Sequence, residues 1–241
     1  LARGICAGTG RFGPYGVVLA ADGLARVGLC LVLAAFSVKA VGAYGMVVAL
    51  APLIGVAIVA GRRQLVTDPG PVTTWQEVTP NLGWLLLGAV MAALLVNAGP
   101  LALALITDKR DDALVTRFGY GVILARIPLF LFQAVQAALL PRLAGLAARR
   151  QFDEFRRGFR RLLKLVLVVG VVGIVGAYFL GPPVIKVMYD ATLTSRTMAT
   201  LALGSAAYML ALALAQAVIA LRGHALVALG WGVGVVSFVL T

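Results

Sequence analysis

Seven apolar runs dominate the chain: approximately Gly13 to Val38, Val41 to Ala60, Leu82 to Ile106, Leu114 to Leu140, Leu165 to Leu180, Met198 to Leu221, and Ala225 to the end. A bilayer core about 30 Å thick needs about 20 apolar residues when crossed as a helix, and a helix satisfies its own backbone groups where water is missing. The runs are rich in Leu and Ala and lack two-residue alternation, which disfavours a β-barrel. The predicted fold class is therefore all-α, a polytopic transmembrane helix bundle of about seven spans. Composition agrees, because 241 residues that are 61% hydrophobic and 12% charged hold more apolar surface than one soluble core hides. The two cysteines, Cys6 and Cys30, exclude a disulfide scaffold. On one helix they would lie roughly 36 Å apart, beyond bridging distance.

A formal charge of +12 would point to nucleic acid in a soluble protein, so the position of the charges relative to the runs decides its meaning. Of the 21 Lys and Arg, 13 fall on one side of the predicted spans, 5 on the other, and Arg26, Arg117 and Arg126 inside them. The richer side is cytoplasmic by the positive-inside rule, and nucleic acid is no longer needed to explain the charge. No cleavable leader is visible. Because the chain opens at Leu1 and closes inside an apolar run, it is expected to be an internal piece of a longer protein.

The stretch Arg149 to Lys164, RRQFDEFRRGFRRLLK, sets Phe152, Phe155, Phe159 and Leu162 at helical spacing among arginines. It is expected to be a helix lying at the cytoplasmic interface, its basic face towards anionic membrane lipids or simply fixing topology. The segment Gly8-Thr9-Gly10-Arg11-Phe12-Gly13 matches a dinucleotide-binding glycine pattern, yet Pro14 and a span follow it. A turn entering a membrane helix fits better. His224 is the single histidine and reads as a solvated loop residue. No metal-ligand, nucleophile or Walker pattern occurs, so neither a cofactor nor an enzymatic activity is expected. Asp108, Asp111 and Asp112 lie beside Lys109 and Arg110 in an outside loop, which reads as a mixed-charge hairpin.

Ionisable groups at membrane depth are the sharpest signal, since each costs roughly 2.5 kcal/mol or more. Asp22 and Arg26, four residues apart, are expected to pair along one helix face, either as a structural pair or within a polar cavity. Arg126 sits mid-run with no acid three or four residues away, and Pro128 follows it. Gln133, seven residues on, shares its face if the helix is unbroken, and Gln136 is near. These residues suggest a water-accessible cavity that could receive an anion. The alternative is an interhelical hydrogen bond from Arg126 to Asp22 or Asn97. Ser205 and Gln216 share a face for packing or cavity lining, and Gly230 and Gly234 fit a close-packing motif.

The segment RGICAGTGRFGPYG (Arg3 to Gly16), a span containing DGLAR, and RIPLFLFQAVQAALLPRLAGL (Arg126 to Leu146) before a basic helix resemble the MOP-superfamily polysaccharide and lipid-linked oligosaccharide flippases. The likeness is to the O-antigen or lipid II type, actinobacterial members in particular. It implies a larger two-lobed bundle, with residues 1–60 supplying the last spans of the N-terminal lobe, 61–81 a cytoplasmic inter-lobe linker and 82–241 a truncated C-terminal lobe. It further implies export of a polyprenyl (pyro)phosphate-linked oligosaccharide across the bacterial plasma membrane by alternating access. Proteins of cell-envelope glycan synthesis are its implied partners. Arg126 and Arg26 could meet the phosphate by type and depth, with Asp22, Gln133, Gln136 and Asn97 as cavity neighbours. A polyprenyl-phosphate glycosyltransferase would need larger outside loops. A drug or cation antiporter of the same superfamily would favour acids in the cavity.

The charge asymmetry predicts that cysteine-accessibility labelling in intact cells will find positions near Arg156 protected and positions near Lys109 labelled. The reverse pattern would overturn the orientation.

Overall fold

The structure, a computed structural model, describes residues 2–62, 75–106 and 112–240. Most of the expected inter-lobe linker and the loop around Asp108 and Asp111 lie outside these residues. Among them the elements are α1 (Ala2–Gly8), α2 (Phe12–Ala35), α3 (Val41–Gly61), α4 (Trp75–Ile106), α5 (Asp112–Ala125), α6 (Ile127–Ala148), α7 (Phe152–Tyr189), α8 (Ser195–Ala220) and α9 (His224–Val239), with no strand. Five helices are long and apolar enough to cross a membrane, or six if the bent pair α5 and α6 counts as one span. Their outward faces are apolar, as at Leu24, Leu31, Val172 and Phe179, which suits lipid rather than water. The chain is a multi-pass membrane protein. The seventh run forms α9, whose 16 residues reach only about 24 Å.

The helices form two compact units that divide between α3 and α4. In the first, α1 packs on α2 and α2 on α3, around buried Cys6, Val18 and Val59. Gly10 turns the chain between α1 and α2 with φ +70°, so the glycine pattern there is a turn, as expected. Both cysteines are free. Helices α2 and α3 meet closely at Gly55, where an added Cβ would lie 2.7 Å from the Val18 carbonyl oxygen. Only glycine allows that approach.

In the second unit α7 packs along α8, α4 along α9, and α6 against both α7 and α8. Its core joins Leu129, Phe132 and Leu143 of α6 to Phe155, Leu162 and Val166 of α7 and to Met209, Ala213 and Ala217 of α8. Of the glycines at 230 and 234, Gly234 faces Leu95 of α4, whereas Gly230 has open space around it.

Two expectations change. The basic stretch is not a separate helix lying on the membrane but the start of α7, which runs unbroken for 38 residues, about 57 Å. Most of its apolar face is taken by the protein: Phe155 and Leu162 are buried against α6 and α8, with Phe159 partly buried beside them, while Phe152 stays exposed. The expected fourth span is broken at Arg126 into α5 and α6, bent by 41°. Pro128 lies in the first turn of α6, where its missing N–H costs nothing and its ring excludes a straight continuation from α5.

Replacing Gly55 with Ala should destabilise the chain by ~1–3 kcal/mol through overpacking against backbone, read as a lower melting temperature in detergent. Gly45→Ala on the same helix has open space and should be neutral or stabilising.

Candidate functional site

In the first unit Asp22 is buried on α2 and receives two guanidinium groups. Arg26, one turn on, donates from Nε to Oδ1 at 2.8 Å and from Nη2 to Oδ2 at 3.3 Å. Arg3 of α1 donates from Nη2 to Oδ2 at 2.8 Å. The expected pair is present, and Arg3 makes it a triad with one positive charge in excess. Sequence reasoning missed Arg3 because α1 is too short and too polar to be read as a span. All three of these hydrogen bonds to the carboxylate come from its own unit.

In the second unit Arg126 occupies the residue between α5 and α6 and is half-buried. Its Nη1 donates to Asn97 Oδ1 at 3.4 Å, and its Nη2 donates to the carbonyl oxygen of Val96. Asn97 turns its own NH₂ back to the Ala93 carbonyl at 2.9 Å, which leaves its oxygen facing the guanidinium. Val96 is free to accept for a sequence reason: the residue four further on is Pro100, which has no N–H to give it. Of the interhelical partners considered, Asn97 is the one found. Pro100 was the overlooked signal, since a proline within an apolar run exposes a carbonyl that some donor must satisfy.

Both of those acceptors are neutral. A guanidinium has five N–H donors, so three remain, and among the described residues no carboxylate lies within ion-pair distance of Arg126. Arg126 lines a cavity of about 410 Å³ together with residues of α4, α5 and α8 and Trp231 of α9. Phe118, Thr200, Ser205, Tyr208 and Trp231 also line it. Tyr208 donates to the Ala92 carbonyl at 3.2 Å and packs on Trp231 with ring centroids 5.3 Å apart. The cavity is thus an apolar chamber with one uncompensated cation and a few hydroxyls. Such a chamber can hold an anionic group joined to an apolar body.

The structure does not bring the glutamines into it. Gln133 is exposed, Gln136 is half-buried, and neither is a lining residue. Their placement on Arg126's face assumed an unbroken helix, and the break at Arg126 removes that register. On α8, Ser205 lines the cavity, whereas Gln216 lies three turns away with its Oε1 buried and unpartnered. His224 is not a solvated loop residue either. It begins α9, half-buried, with Nδ1 shielded from water.

The chain matches no family model, no curated protein and no solved structure.

The Asp22 triad predicts non-additive energetics. Asp22→Asn should lower the melting temperature by leaving two arginines uncompensated, and adding Arg26→Gln should recover part of the loss. Strictly additive losses in that double-mutant cycle would exclude the pairing.

Proposed function

We propose that this chain is part of a transporter that moves a polyprenyl (pyro)phosphate-linked oligosaccharide across the bacterial plasma membrane by alternating access, as its resemblance to the MOP-superfamily flippases implies. The observation that carries the reading is Arg126. Its guanidinium lies at a helix break within an apolar bundle and is held by neutral oxygens that leave its charge in place. It opens on a chamber that is otherwise largely apolar.

The chemistry follows from those partners. Asn97 and Val96 fix the plane of the guanidinium, so its free donors are pre-aimed and little ordering is needed when an anion arrives. A phosphate oxygen pair matches the fork, and the low dielectric strengthens each bond. The prenyl tail would remain in lipid while the head group occupies the chamber. The α5–α6 break is a place where one part of a lobe can swing against another, as broken helices at midplane sites do in other transporters. Arg26, which shares Asp22 with Arg3, is a second cation within a span and of the residue type that the resemblance implies for meeting phosphate.

Arg126→Ala should cut export by roughly tenfold to a hundredfold, the loss of one or two charge-assisted hydrogen bonds, while the protein still folds and inserts. Arg126→Lys should retain part of the activity, because the charge persists without the fork. The measurement is complementation or a flipping assay with a lipid-linked glycan, normalised to folded protein in the membrane. Full activity per molecule in Arg126→Ala would remove this residue from the substrate site.

A further inference from the structure

Towards the other end of α6 from Arg126, the C-terminal part of α6 and the N-terminal part of α7 line a cleft of about 360 Å³. Arg157 and Arg161, one turn apart on α7, face Arg142 across it, and Glu154 is the single acid in the lining. Leu143, Leu146, Leu162 and Leu165 supply its apolar lining, Leu165 exposed and Leu146 half-buried. Two of these, Leu143 and Leu162, belong to the buried core, so that part of the lining is rigid. Among the described residues none of the three arginines has a carboxylate within ion-pair distance.

Gly158, between the two α7 arginines in sequence, also lines the cleft. A Cβ built there would lie 3.4 Å from Leu143 Cδ2, so a side chain as large as leucine would have to take its room from the cleft. The height of the cleft is set by sequence. Arg142 is the first charged residue after the apolar part of α6, and beyond Lys164 α7 carries no charge until Lys186. Both helices therefore pass from charged to apolar at this level, which is where phospholipid headgroups meet their acyl chains.

We propose that this cleft is a binding site for an anionic phospholipid, with the phosphate held by Arg142, Arg157 and Arg161 and the first part of an acyl chain against the leucines. The reading goes beyond the transport proposal and does not depend on it. It also differs from diffuse attraction of the basic α7 face to a charged surface, since it assigns three of the arginines a shared ligand and gives the others none. Guanidinium forks converging from two helices match the oxygens of a phosphodiester, and the net charge of the lining is positive even with Glu154 ionised.

The test is lipid enrichment around the full chain in nanodiscs of mixed phosphatidylglycerol and phosphatidylcholine, or retention of single lipids by native mass spectrometry. The native chain should prefer phosphatidylglycerol by about tenfold or more, from the excess of three arginines over Glu154 in the lining. Arg142→Gln, Arg157→Gln and Arg161→Gln together should abolish the preference. Arg156→Gln, Arg160→Gln and Lys164→Gln together remove the same charge outside the lining and should leave most of it. Gly158→Leu keeps every charge but fills the cleft, and should abolish the preference too, which serves if the triple variant fails to insert. Equal losses in the two triple variants, or an unchanged preference in Gly158→Leu, would overturn the site. Displacement of the lipid by millimolar inorganic phosphate would show a site for free anions and would overturn the lipid assignment.

Discussion

A charge or open carbonyl inside an apolar bundle has to be satisfied by the protein itself, and the polar interior of this chain is arranged around that condition. Arg126 and Val96 solve it jointly. Pro100 leaves the Val96 carbonyl without its helical donor, and the guanidinium across the helix interface supplies one. The Asp22 triad uses the other available solution, in which a carboxylate meets two guanidinium groups and cancels one of them. The two arrangements have different consequences. Ion pairing spends charge, whereas bonding to neutral oxygens holds a cation in position and leaves its field available to a ligand. That contrast is the physical reason for placing the candidate substrate site at Arg126.

Prolines and glycines shape the spaces in which these charges act. Pro128 prevents α5 from running straight into α6, and the resulting 41° bend puts Arg126 at an interruption of the backbone rather than on the wall of a helix. Gly55 permits the contact that joins α2 to α3. In each case a missing atom, either an amide hydrogen or a Cβ, decides where the bundle closes and where it stays open.

Helix α7 shows how one stretch of sequence serves several demands. Its aromatic and leucine positions look like the apolar side of an interfacial helix, since the period of 3.6 residues is the same whether the partner is lipid or protein. The structure gives Phe155 and Leu162 to the core formed with α6 and α8. The basic positions are left outside, where the helix extends beyond the length a bilayer core requires.

The apolar helices, the Asp22–Arg26 pair and the isolated position of Arg126 were legible in the sequence, because they depend on apolar run length and on spacing within one helix, whereas the break in the fourth run and the early start of α7 were not. Asn97 was one of two partners that spacing could offer Arg126, and only packing of α4 against the break selected it. Arg3, the Val96 carbonyl, Tyr208 and Trp231 come from segments far apart in the chain, and no local period brings them together. Gln133 shows the limit from the other side: seven residues mean one face only while the helix continues, and the helix stops at Arg126. Local chemistry thus determined which groups would be costly to bury, and tertiary packing decided which neighbours would meet that cost and which arginines would keep their charge.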